Sequence, residues 1–256
     1  MNSNRLESIS VREIGRIVDK FELMRHFLDT NDKTPIWDGE IWLYSNKKQS
    51  NDYFKGKVPV QIKGASVDKF SLKSRKYKLV KSHLKAYLKD NGIIFFVVEI
   101  LDSDRVKVFF KTLLPIDIEA ILKDMGENNS KLEKFYELKE QELEVLCRNF
   151  IKDSGKQNYK NIQLDKSKIN FKSYSTTIIG NEKIDFDQYM FNHGLYLYGK
   201  IQDYGIEIPI KKLIIDTKYE QVAVNIGTKT KIYYDYLIIK KTRMKQTYHL
   251  GIVSNL

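Results

Sequence analysis

The chain has 256 residues, 42% of them hydrophobic and 12% aromatic, and carries a net charge of +11 from 44 basic and 33 acidic side chains. Such a composition belongs to a folded protein with room for one large domain or two modest ones; it excludes a disordered or collagen-like chain, and with Cys147 as the only cysteine it excludes a disulfide scaffold. The longest apolar run, Ile93–Val98, is far short of the ~18 residues that span a bilayer, and Met1–Arg16 holds no uninterrupted apolar signal core, so a cytoplasmic protein without a membrane partner is expected.

Positive charge favours a polyanion partner, because phosphate contacts release counterions. Only eight of the 44 basic residues are arginines, however, and AT-rich codon usage also produces a Lys-, Asn- and Ile-rich chain. The total leaves both explanations open, and distribution along the chain must choose between them.

In chain order, Ile14, Ile17, Val18, Phe21, Met24 and Leu28 recur at helical spacing and predict a helix over Ser10–Leu28. Trp37 to Tyr44 alternates like a strand within Ile36–Ser45; Asn46–Lys57 is expected as a loop and Val58–Lys63 as a second strand. A basic stretch ends in a helix around Leu79–Lys89 that stops at Asn91-Gly92. Ile93–Ile100 reads as a strand buried on both faces, Arg105–Lys111 as its neighbour, and Ile116–Met125 as a short helix closing at Gly126.

Ser130–Lys152 suggests a long amphipathic helix with Ser130 and Glu133 as a capping box, and Asp153–Lys168 suits a linker. Beyond it, six runs (Ile169–Ile179, Leu195–Lys200, Ile206–Ile210, Leu213–Val224, Lys231–Lys240 and Thr247–Val253) alternate polar with aromatic or β-branched residues. The expected fold class is therefore α/β (α+β): a small mixed sheet flanked by helices in residues 1–126, a helix and linker in 127–168, and a mainly antiparallel β domain in 169–256. The chain ends just past a strand-like run, as expected of part of a longer protein.

One constellation suggests chemistry. Residues two apart on a strand share a face, so Gln61 and Lys63 project together while Val60 and Ile62 face the core, and Asp38 and Glu40 pair likewise on the preceding strand. Adjacent strands would bring a carboxylate, an amide oxygen and an ammonium to one spot. Phosphodiester hydrolysis uses hard oxygen ligands for Mg²⁺ or Mn²⁺ and positive charge on the transition state. Asp38 would be the central ligand, Gln61 and the Ile62 carbonyl neutral ones, and Lys63 the group that orients water and offsets charge. Asp38-Gly39 also suits a tight turn, and Lys63 a surface lysine.

The pattern D-x-n-Q-x-K formed by Asp38, Gln61 and Lys63 resembles the PD-(D/E)xK nuclease superfamily, and the Q-x-K version resembles its Mrr-like restriction branch. Asp38-Gly39-Glu40-Ile41, then Val58-Pro59-Val60-Gln61-Ile62-Lys63-Gly64, then the Leu113-Leu114-Pro115-Ile116-Asp117 segment resemble a bacterial group of nuclease-like domains of unknown function. The resemblance covers about Ser8–Asp124. It implies a metal-dependent endonuclease acting on DNA in bacterial defence or DNA processing, possible homodimers, and a first-helix glutamate in the metal site, for which Glu13 is the matching position. A capping box with Ser10 accounts for Glu13 equally well. Gln61 replaces the family's usual acid and Trp37 its proline; the exchange at Gln61 keeps open a catalytically inactive module that binds nucleic acid or a partner protein.

Lys69, Lys73, Arg75, Lys76, Lys78, Lys81, Lys85 and Lys89 follow with no acid between them, and Tyr77 lies among them. A solvated face would explain the run. Its place directly after the Q-x-K strand suggests instead phosphate binding beside the cleft, with Lys69, Lys73, Arg75, Lys76 and Lys78 as candidate contacts and Tyr77 stacking on a base. The histidines lack paired metal spacing, and Cys147, near Leu146 and Phe150, reads as a buried thiol.

Overall fold

The computed structural model describes residues 2–29, 37–102, 105–158, 169–181, 184, 186–202, 206–213, 222–226, 230–234, 238–241 and 247–251. It divides into two compact units, Met1–Gly155 and Lys156–Leu256. As the apolar patterning along the chain implied, it is mixed α/β.

Helix α1 (Ser3–Val18) starts at Asn2, whose side-chain oxygen accepts the Arg5 N–H at 2.9 Å. It therefore begins earlier and ends earlier than its expected span. Ser10 is not a cap but a buried mid-helix residue whose hydroxyl donates to the Leu6 carbonyl at 2.7 Å. The chain turns after Asp19, and Met24–Leu28 forms β1, antiparallel to β2 (Gly39–Tyr44). Met24 and Leu28 are four apart, a spacing shared by a helical turn and by alternate positions of a strand face, and pairing with β2 selects the strand.

A 13-residue strand, β3 (Phe54–Ser66), follows, beginning inside the expected loop. Residues 74–89 hold β4 (Ser74–Val80) and then α2 (Lys81–Lys89), so the basic stretch is half strand. β5 (Ile93–Ile100) has all eight residues buried, as its apolar run required, and lies parallel to β3 and antiparallel to β6 (Val106–Leu113). Next comes α3 (Pro115–Met125) with proline in its first turn.

The expected long helix at Ser130–Lys152 is instead β7 (Ser130–Glu137) and α4 (Leu143–Lys156). β7 pairs from Ser130 to Tyr136 with β4 and at Glu137 and Tyr136 with Phe109 and Phe110 of β6, and it buries Phe135 against Phe95 of β5. Those long-range ladders decide against the helix, and they carry the first unit past Gly126. The sheet order is β1-β2-β3-β5-β6-β7-β4. One face holds the cluster of Leu84, Tyr87, Phe95, Val97, Phe109, Ile118 and Phe135 under α2 and α3. On the other face α1 packs so closely over β3 that a Cβ at Gly64 would lie 2.6 Å from the Ser10 hydroxyl and 2.7 Å from the Leu6 carbonyl.

The second unit holds β8 (Phe171–Ile179), the unexpected helix α5 (Phe186–His193), β9 (Leu195–Ile201), β10 (Glu207–Leu213), β11 (Val222–Ile226), β12 (Thr230–Tyr234), β13 (Ile238–Lys241) and β14 (Thr247–Gly251). Five of its strands form an antiparallel sheet in the order β10-β9-β8-β14-β13, and β11 and β12 form a hairpin pair. The expected linker lies largely outside the described residues. Among the described residues no helix is long and apolar enough to cross a membrane.

Candidate active site

Asp38 does not lie in β2, as alternation from Trp37 to Leu43 suggested, but one residue before it. Gly39 has φ +135°, and a Cβ there would lie 2.2 Å from the Phe27 carbonyl, so only glycine serves at this turn. The turn lets Trp37 pack against the cluster under α2 and α3 while the Asp38 N–H donates to the Val60 carbonyl at 2.9 Å. The Asp38 carboxylate is thereby brought against β3, just past the last β2–β3 pair, Gly39 with Val60.

There it meets the residues that the strand pattern singled out. The Ile62 N–H donates to Asp38 Oδ2 at 2.6 Å, the Gln61 amide nitrogen donates to the same oxygen, and Lys63 Nζ lies 4.0 Å from it. An extended residue directs both its polar groups to one edge, so the Ile62 carbonyl opens toward the same notch. The Asp38 side chain is 17% exposed and that of Lys63 45%. Burial raises the Asp38 carboxyl above its ordinary pKa; the Ile62 N–H, Lys63 and Gln61 oppose that rise, and nearby Glu7 adds to it.

The other end of the Gln61 amide accepts from the Tyr87 hydroxyl at 3.1 Å, within the buried interface of α2 and β3. Burial, with Asp38 nearby, raises the Tyr87 pKa. The phenol therefore stays protonated and able to donate. A carboxylate accepts only, so the chemistry orients the amide with nitrogen toward Asp38 and oxygen toward Tyr87.

Glu13 is not brought to this site. It forms an ion pair with Arg16 at 2.7 Å, and Arg16 also bonds Glu140 at 2.5 Å. The α1 glutamate whose charge reaches Asp38 is Glu7. Six residues of helix separate the two, about 9 Å of rise and roughly 240° of rotation. Its signal was present in the sequence: Glu7 is seven residues before Ile14, so it extends the buried stripe with a charge. Glu40 is engaged elsewhere, accepting from Trp42 Nε1 at 2.9 Å and Lys57 at 2.5 Å.

The basic stretch also lies elsewhere. β4 is the far edge strand, separated from β3 by β5, β6 and β7, about 19 Å at the usual strand spacing. The side chain of Arg75 is 16% exposed and pairs with buried Glu99 at 3.1 Å, a core ion pair and not a phosphate contact. Tyr77, partly buried, packs its ring on Phe95 and Phe135 at 5.4 and 5.8 Å, at the edge of the core and away from Asp38. Lys69, Lys73, Lys76 and Lys78 are exposed, but Lys76 and Lys78 on β4 are not beside Asp38.

Cys147 is fully buried in α4, its thiol pKa raised by that burial. Among the described residues no three His, Cys, Asp or Glu side chains cluster as a metal site. Comparisons with protein-family models, with curated proteins and with solved structures find no match to this chain.

Proposed function

We propose that the first unit is a metal-dependent endonuclease that hydrolyses DNA phosphodiester bonds at the notch between Asp38 and Lys63. The observation that supports this reading is the meeting of a mostly buried carboxylate, a half-exposed ammonium and an open main-chain edge at one spot, built from the turn before β2 and the neighbouring strand β3. The donors present suit a hard cation: the Ile62 N–H and the Gln61 amide both bond Asp38 Oδ2, and Asp38 Oδ1, the Ile62 carbonyl and the nearby Glu7 would supply the oxygens. Bound Mg²⁺ or Mn²⁺ would polarise the scissile phosphate and lower the pKa of a water. Lys63 would stabilise charge developing on the phosphate oxygens and help to orient the attacking water. Gln61 is a positioning residue here, holding Asp38 through its nitrogen and held in turn by Tyr87.

A second reading has an observation of its own. Because the Gln61 amide engages both its ends, it contributes no ligand oxygen as it stands, and a nuclease-shaped module that binds without cutting would look the same. Incubating the protein with plasmid in Mg²⁺ or Mn²⁺ separates the two. Cleavage by the native chain that disappears in Asp38→Ala and in Lys63→Ala supports the enzyme. Binding with no cleavage in either metal overturns it.

A further inference from the structure

The face of the sheet that carries Gln61 and Lys63 continues past the cover of α2 and α3. Directly paired residues on adjacent strands share a face, so the pairs Arg25 with Trp42, Phe27 with Glu40, Trp42 with Lys57 and Glu40 with Pro59 place Arg25, Phe27, Glu40, Trp42 and Lys57 on the side where Gln61 and Lys63 project. On it lies a row of rings. Phe27 and Trp42 have centroids 4.7 Å apart, and Trp42 and Phe54 are 5.0 Å apart. The outer two are 43% and 39% exposed, high for phenylalanines on paired strands.

A guanidinium flanks this row. The Arg25 guanidinium stands 5.2 Å from the Phe27 ring centroid, and Arg25 is exposed. Glu40, an acid on this part of the face, is already held by Lys57 and the Trp42 indole. A protein partner's apolar side chains would suit the rings but not the cations; an anionic chain that carries flat aromatic groups suits both. Trp42 is four residues from Asp38, about 14 Å along a strand, a distance covered by two or three nucleotides of extended backbone.

From these positions we infer that Phe27, Trp42 and Phe54, with Arg25, form a stacking platform that holds single-stranded DNA and leads its backbone to the Asp38–Lys63 notch. The inference rests on the nuclease reading for the strand's destination, and not for the binding itself. Duplex bases stack on one another and leave no face for these rings, so the platform selects unpaired strands.

The test measures fluorescence anisotropy of a labelled 20-nucleotide single strand and of the matching duplex, with the full chain in EDTA so that nothing is cut. The single strand should bind more tightly than the duplex. The double variant Phe27→Ala, Phe54→Ala should weaken single-strand binding tenfold or more and leave duplex binding and the circular-dichroism spectrum unchanged. Phe27→Tyr, Phe54→Tyr should restore it, because a tyrosine ring stacks equally well. Equal affinity for strand and duplex, or no loss in the double alanine variant, overturns the inference. So does a self-association, seen by sedentation velocity in the native chain and lost in the double variant, because a second copy would then cover the rings. Plasmid cleavage with no single-strand preference would keep the nuclease and remove the platform; single-strand binding with no cleavage in any metal would do the reverse.

Discussion

The Tyr87 hydroxyl on α2 donates to the Gln61 carbonyl oxygen at 3.1 Å, and this contact determines which end of the amide faces Asp38. Removing the hydroxyl leaves a buried acceptor without its donor. Tyr87→Phe should therefore lower stability by about 1–3 kcal/mol. Urea denaturation measures it, and an unchanged midpoint would show that the hydroxyl does not support the amide.

Burial disfavours the ionised form of Asp38 more than the Ile62 N–H, Lys63 and Gln61 favour it, so its charge opposes folding. Its folded pKa is raised above the unfolded value. Between those two values the native chain binds more protons than the unfolded chain, so stability falls as pH rises through that window and the loss is complete above the raised pKa. Asp38→Asn removes this dependence. The melting temperature of the variant relative to the native chain should climb as pH rises through the window and then level off. A difference that shrinks with rising pH would contradict the raised pKa.

A cation at the notch would reverse that penalty, because it favours the carboxylate. Mn²⁺ at a hundred times its dissociation constant should add about 2.7 kcal/mol to the native chain. Asp38→Asn should show none of this gain. Differential scanning fluorimetry with and without EDTA reads the effect directly.

Glu7 and Glu13 lie on one helix and should separate cleanly. Glu7→Gln should weaken the Mn²⁺-dependent gain in melting temperature, because the Glu7 charge reaches Asp38. Glu13→Gln should leave that gain intact and change stability by at most about 1 kcal/mol, the range of partly exposed ion pairs.

Arg75 and Glu99 form an ion pair whose acid is 2% exposed and also accepts from the Ser71 N–H at 2.7 Å. Glu99→Ala should cost about 3–5 kcal/mol, since it strands a largely buried guanidinium. The urea midpoint should fall, while the affinity of the remaining folded protein for DNA stays the same.

The primary sequence alone was enough to identify β5, because six apolar residues in a row, Ile93–Val98, bury both faces of a strand, and to identify α3 and, in the second unit, β8, β9 and β14. It also singled out Asp38, Gln61 and Lys63, because side-chain direction along β3 follows from local geometry. Tertiary structure decided what local pattern leaves degenerate. Met24 and Leu28 satisfy helical and extended spacings alike, and only pairing with β2 selects the strand; at Ser130–Glu137 pairing with β4 and β6 likewise overrides the expected helix. The same holds for the site's borders. A glycine turn instead of a strand at Asp38 and the buried pairing of Arg75 depend on which distant segment packs alongside, and a contact between distant residues leaves no periodic trace in either one's own neighbourhood; the stripe of α1 marked Glu7, but only the packing of α1 over β3 selected it over Glu13.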